Sequence, residues 1–390
     1  MNKLFFFPNR RLLRLCLVCT TAIIVLLPLA AQQRTPSYSY EDDYIFWGSP
    51  VAYLNYQAKT AYPLIDRMLQ AYPPTTEPDK NRRLALVTLD QFLHDAEYNK
   101  RDAFYTFVNT RMARMLTEMN QPVLTGVRIY KLYDGGVILK TMTTTVAIDL
   151  VPGGTNQKPF LTDSVIYEIA FRCDALLITN ADSRHANSNV AKAFLESGKK
   201  VIMPDGLFMN LTGDILPVGA DTAQTVKLEA MTLHVLPGHN GRAKNNIYIM
   251  DFHGRGIVAH TGAQDNDADL DWIELLHNQY TIDVLLTRSQ NIRLESMLTG
   301  FLPRLLITTG ENEMASTVDK RESYWATQKR IKSLDDPVIP NIIMTWGETY
   351  HYTDFDSPNI SSAANKMMMD GVLYIERKGS VYTTTGIKVK

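Results

Sequence analysis

The densest run of potential chemistry lies between Asp174 and Asn187, where the apolar stretch Ala175-Leu176-Leu177-Ile178 runs into Thr179-Asn180-Ala181-Asp182-Ser183-Arg184-His185 and then a helical pattern. A carboxylate and an imidazole at the exit of a strand are the side chains that bind divalent ions and leave a position open for water. Other candidates read as structural. Asp265, Asp267, Asp269 and Asp271 alternate like the start of a calcium loop, but Leu270 replaces its turn glycine and Leu276 its closing glutamate, so an acidic helix N-terminus accounts for them. Cys173 opens an apolar run and reads as a buried thiol. His94, His234, His260 and His277 lie in helical or β-type runs or beside a turn, as hydrogen-bonded structural histidines do.

Three further segments combine with the first: Leu236-Pro237-Gly238-His239-Asn240-Gly241, His260-Thr261-Gly262-Ala263-Gln264-Asp265, and Thr308-Thr309-Gly310-Glu311-Asn312-Glu313-Met314. The last is followed by Arg321-Glu322-Ser323-Tyr324-Trp325 and Met344-Thr345-Trp346-Gly347-Glu348. In this order they resemble the motifs of the metallo-β-lactamase superfamily, and the C-terminal ones are similar to an exported bacterial branch distantly related to the ascorbate-6-phosphate lactonases. The resemblance covers roughly residues 123 to 355 and implies an α/β (αββα) sandwich of two mixed sheets flanked by helices. It also implies a centre of two metals about 3.5–4 Å apart, in which Thr-His-x-His-x-Asp-His supplies ligands from one loop.

Matched residue by residue, Asn180 and Asp182 stand at the first two histidine positions, Arg184 at the aspartate position, and His185 keeps the last histidine. His239 keeps the histidine of the next motif, Ala263 stands for the aspartate that bridges both metals, and Gly310 for the final histidine. An alanine cannot bridge. Arg184 would repel a divalent ion and partly replace its charge. The resemblance therefore implies a degenerate centre held by hydrogen bonds and salt bridges, and two readings follow. One is a pseudoenzyme without a cofactor, acting through an unidentified small molecule or protein partner. The other is a hydrolase of a phosphoester or lactone-type ester with a single zinc, iron or manganese ion on Asp182, His185 and His239. In the family's arrangement the positions of Asp182 and His239 serve one metal and that of His185 the other, which counts against it. Asn180, Arg184, Glu311, Asn312, Glu313, Arg321, Glu322, Trp346 and Glu348 either line a pocket for an organic ligand or pin the C-terminal elements to the sandwich.

The elements that must position these residues are legible in the periodicity. Phe104, Phe107, Val108, Met112, Met115, Leu116 and Met119 form one helical face, and a second helical pattern runs from about Asn81 to Tyr98, after the proline-rich loop Pro73–Pro78. Residues 32–122 are thus expected as a helical extension. Short β-type runs follow at 127–130, 136–139, 143–148, 226–236, 247–252 and 257–259; helices are expected at 189–197, before the strand 200–203, and at 271–279, before the strand 282–287. Residues 356–390 read as a C-terminal segment with a short hairpin. Forty basic against forty-one acidic residues, a net charge of −1, give no electrostatic case for nucleic acid or an anionic membrane. Lys3, Arg10, Arg11 and Arg14 precede the apolar run Leu15–Leu29 and the small residues Ala30-Ala31, a signal-peptide pattern over residues 1–31 that predicts export to the periplasm or beyond. Such a chain keeps Cys173 alone and can form no internal disulfide.

Overall fold

A computed structural model of the chain describes residues 50–96, 102–155, 158–219, 222–334 and 339–353, and strands between 364 and 383. The expected signal peptide, residues 1–31, lies outside the described residues. The chain divides into two compact units, Met1–Thr60 and Ala61–Lys390. Of the first, residues 50–60 are described, and they are helical, the opening of α1 (Pro50–Ala71). The second holds everything discussed below.

Two seven-stranded sheets carry the fold. In the first the order is β16 (Thr349–Tyr352), β1 (Val127–Lys131), β2 (Val137–Lys140), β3 (Thr145–Ile148), β6 (Ala175–Leu177), β7 (Lys200–Pro204), β8 (Ile215–Val218). In the second it is β15 (Asn341–Ile342), β14 (Leu305–Thr309), β13 (Val284–Arg288), β12 (Ile257–His260), β11 (Ala243–Asp251), β10 (Met231–Asn240), β9 (Gln224–Leu228). Each sheet is mixed. Strands joined by tight turns pair antiparallel, as in β1–β2–β3 and β9–β10–β11–β12; strands joined through helices pair parallel, as in β3–β6–β7 and β12–β13–β14–β15, and β8 adds parallel to β7 after a loop of turns. A small hairpin, β4 (Gly154–Thr155) with β5 (Lys158–Pro159), and a separate antiparallel set β17–β19 (Ala364–Met369, Val372–Arg377, Ser380–Thr383) complete the strands; the latter has three strands where a hairpin was expected.

Alternation along the strands sorts the core into layers. Val284 and Leu286, Leu305 and Ile307, Tyr248 and Met250 face the first sheet and meet Val127, Ile129, Leu139 and Ile148. Their neighbours Leu285, Leu306, Ile247 and Ile249 face outward and pack with Leu294, Met297, Leu298 and Phe301 of the helix Leu294–Phe301 and with Ile331 of the helix Tyr324–Lys332. The segment expected as one helix at 271–279 is two short pieces, the α-helical turn Leu270–Ile273 and the 3-10 turn Leu276–Asn278, preceded by a further 3-10 turn at Asp267–Asp269.

Helices α2 (Lys80–Leu93) and α3 (Asp102–Met119) belong to the same compact unit as the sheets and are tied to the chain near its last sandwich strand by buried charge. Arg82 donates to Glu348 Oε1 at 2.8 Å and to Oε2 at 2.7 Å, and to the Ile343 carbonyl at 2.8 Å. Arg111 reaches Asp66 Oδ1, the Thr345 hydroxyl and the Trp346 carbonyl, each at 2.6 Å. Both arginines are 1% exposed, so these bonds substitute for water that neither guanidinium can reach.

Candidate functional site

The residues singled out by the motifs collect where β3, β6, β12, β13 and β14 end and their loops begin. At the centre is Asp149, the residue after β3, fully buried on left-handed backbone (φ +48°). Its Oδ1 accepts the Thr179 N–H at 2.8 Å; its Oδ2 accepts the Thr179 hydroxyl at 2.7 Å and lies 2.7 Å from His185 Nδ1. Burial pushes both groups toward neutrality, and their mutual attraction outweighs it: the Asp149 carboxyl is held below, and the His185 imidazolium above, its ordinary range. The two form a buried ion pair.

Around this pair lies a ring of further charge. Asp134, buried at φ +51°, faces His185, Arg288 and Lys131, yet burial still raises its carboxyl above the usual range. Lys131, equally buried, donates through Nζ to the Asp134 carbonyl and is lowered by burial. Glu311 is raised by burial despite Lys131, and neither of its oxygens has a hydrogen-bond partner within 3.5 Å among the described residues. His260 is lowered by burial; its Nδ1 accepts the Gly262 N–H at 3.1 Å and its Nε2 donates to the Gly135 carbonyl at 3.1 Å, the bonds of a neutral ring.

The motif positions are engaged in local bonds. Arg184 closes on Asp182, with Nε to Oδ1 and Nη2 to Oδ2 both at 3.0 Å, and this bidentate pairing pulls the carboxyl down to about 2. Asn180 donates to the Thr179 hydroxyl at 3.1 Å and to Asn245 Oδ1 at 3.0 Å; that same Oδ1 accepts the Ala263 N–H at 2.9 Å. His239 is set 3.1 Å from both oxygens of Asp269, which also accepts from Gln264 at 2.7 Å. A Cβ at Gly310 would stand at ordinary contact distance from Arg288 Nε, 3.4 Å, and Asp134 Oδ1, 3.5 Å, so these two side chains flank the position.

These contacts decide whether the donors fit a metal. Asp182, His185 and His239 are each paired with a different residue, Arg184, Asp149 and Asp269, and no group of three His, Cys, Asp or Glu side chains among the described residues could hold a metal ion. An amide and hydroxyl network, Asn180–Thr179–Asp149 and Asn180–Asn245–Ala263, links these positions instead. The residues present do not fit the dinuclear centre that the resemblance implies.

Most of the expected pocket residues serve elsewhere. Glu348 and Trp346 join the helices to the sandwich: Glu348 binds Arg82, and Trp346 stacks at 6.0 Å on Phe160 with Phe104 and Tyr133 edge-on. Arg321 donates to the Leu93 carbonyl at 2.7 Å and Glu322 pairs with Arg330 at 3.1 Å. Asn312 donates to Asp90 Oδ1 at 3.0 Å, while Asp90 accepts the first N–H groups of the helix at Tyr324 and Trp325. Glu313 accepts from Ala315 and Ser316 and holds its own loop. Asn180 and Asp182 do line a cleft of about 760 Å³, with Asp205, Gln224, Asn240, Lys244 and Asn246. Cys173 is buried, with its thiol pushed up, and His94 and His234 are hydrogen-bonded, as the sequence suggested.

Sequence reasoning missed Asp149, Asp134, Asn245 and Arg288, gave Thr179 no role, and read Asp269 only as part of an acidic helix N-terminus. A usable signal existed for Asp149, an acid directly after the apolar strand Thr145–Ile148.

No family model matches the chain, and no curated protein matches it. Among solved structures it is similar to a metallo hydrolase from Ignicoccus hospitalis, at 16% identity over 58% of this chain and 98% of that one, TM-score 0.45. It is also similar to a metallo-β-lactamase fold protein from Bacillus subtilis, at 10% identity over 58% and 100%, TM-score 0.42. A diiron β-hydroxylase from Streptomyces venezuelae matches at 14% identity over 60% of this chain and 55% of that one, TM-score 0.45. No helix among the described residues is long and apolar enough to cross a membrane. With two facing mixed seven-stranded sheets, helices outside them and the motif positions at their strand ends, the chain has a metallo-β-lactamase-type fold.

Proposed function

We propose that this protein is an exported metallo-β-lactamase-fold protein that acts by binding a ligand or partner at the cleft beside Asn180 and Asp182, not by dinuclear hydrolysis. The observation that carries the reading is the separate pairing of Asp182 with Arg184, His185 with Asp149 and His239 with Asp269. Moving Asp182 onto a metal would strip Arg184 of both its side-chain bonds to that carboxylate. One observation favours a reduced site: His185 and His239 both engage a carboxylate through Nδ1, which leaves Nε2 as the nitrogen not tied to that carboxylate, as in metal-binding histidines.

Elemental analysis of protein purified without chelators separates the two, alongside Asp182→Ala and His239→Ala. The expected result is zinc, iron and manganese well below one equivalent in all three proteins. One equivalent in the wild type that both substitutions remove would overturn the proposal.

A further inference from the structure

The two sheets end side by side on strands that are consecutive in the chain. β8 closes the first sheet and β9 the second, and neither has a second neighbour among the described residues. The core is thinly covered there: of four partly buried side chains packed against the inter-sheet core, Leu216 lies on β8 and Val226 and Leu228 on β9. β8 is blunted by the exposed Pro217, which has no N–H to offer. β9, Gln224-Thr225-Val226-Lys227-Leu228, contains no proline and alternates half-buried with exposed residues.

Its register shows which backbone groups are open. β9 and β10 join through Glu229-Ala230, so the closing pair Leu228–Met231 exchanges backbone hydrogen bonds and the pairs alternate from there. Val226, opposite Leu233, bonds inward, and the N–H and C=O of Thr225 and Lys227 point away from the sheet. At Gln224 this edge runs into the 760 Å³ cleft, whose carboxamides keep groups with no partner among the described residues: Gln224 Nε2, Asn246 Oδ1 and both ends of Asn240. A carboxamide offers a donor and an acceptor, the complement of a peptide group.

We propose that β9 and the cleft form one site for an extended peptide segment, which adds to the second sheet as a strand. It would cover Val226, Leu228 and Leu216 with apolar side chains at alternate positions, present an acidic residue toward Lys227, and continue into the cleft. A second copy of β9, only five residues between its own turns, would leave the cleft empty. The inference rests on the reading of the cleft as a binding surface.

The test titrates the full chain with the fluorescently labelled, blocked peptide Thr-Val-Glu-Val-Thr-Val-Ser and with the same peptide N-methylated on alternate residues, followed by anisotropy and amide exchange. The unmodified peptide is expected to bind and to slow exchange at Thr225 and Lys227, and N-methylation to abolish binding. Lys227→Pro removes one outward donor that the sheet does not use and is expected to weaken binding about tenfold, whereas Lys227→Ala keeps the donor, loses only an exposed ion pair with the peptide's glutamate, and is expected to weaken binding by less than about threefold. Equal binding of the methylated peptide, or none of either at millimolar concentration, would overturn the proposal. Protection at Asn240 and Asn246 without Thr225 and Lys227 refutes strand addition while leaving cleft binding intact. Protection of β9 that rises with protein concentration alone assigns the edge to a second copy and refutes the peptide.

Discussion

Replacing Asp149 by alanine tests whether a buried ion pair holds the loops where a metal centre would be expected. Asp149 is fully enclosed and accepts from Thr179 twice and from His185 once, at 2.7–2.8 Å, so its loss strands a buried imidazolium and two donors. Breaking such a pair from one side costs about 3–5 kcal/mol. At about 2 °C per kcal/mol for a domain of this size, the thermal midpoint should fall by roughly 6–10 °C. The pH dependence is a sharper signature. His185 is raised in the fold, so its contribution is complete below the ordinary value of 6.5 and fades as pH rises through its folded value. Asp149 is lowered, so its contribution is complete above 3.8 and fades as pH falls through its folded value. The stability gap between wild type and Asp149→Asn should therefore be widest between about pH 4 and 6.5 and narrow on the alkaline side. Urea unfolding across pH 4–9 measures it, with Asp149→Ala/His185→Ala losing less than the sum of the single changes. A gap under 1 kcal/mol, or one flat with pH, would refute the ion pair.

Two further outcomes follow from the buried network around the helices. Glu348→Ala leaves Arg82 buried without its carboxylate and should cost about 3–5 kcal/mol in urea unfolding, with Arg82→Met/Glu348→Met recovering part of the loss; a cost below 1 kcal/mol would mean that Glu348 does not pin these helices. Asp90→Ala removes the cap at Tyr324 and Trp325, with an expected loss of about 1–2 kcal/mol and faster amide exchange confined to the first turn of the helix Tyr324–Lys332.

Legibility in the sequence tracked the range of the interaction concerned. The helical face of α3 and the strands β1, β2 and β12 were readable because their periodicity is local. The run 226–236 read as one strand, yet it is the hairpin β9–β10, whose turn Glu229-Ala230 lacks the glycine or asparagine that marks most tight turns. His185 and Asp182 were found from their motif positions; what they bind was not. Arg184 pairs two residues away, whereas the partner of His185 lies 36 residues upstream and that of His239 30 residues downstream.

By itself the sequence pointed to two sheets with helices outside, and the positions that the resemblance matches to metal ligands hold Asn180, Arg184, Ala263 and Gly310. Side-chain identity and strand periodicity suffice for both statements. Only the tertiary structure decided what occupies those positions and which residues face a cleft. From sequence, Glu348, Trp346, Arg321 and Asn312 could either line a pocket or pin the C-terminal elements, because polar and aromatic groups cluster at both; in the structure they are buried and bonded to, or packed against, α2 and α3. The open edge at β9 likewise became visible only once strand order was known, since an unpaired backbone leaves no mark on residue type.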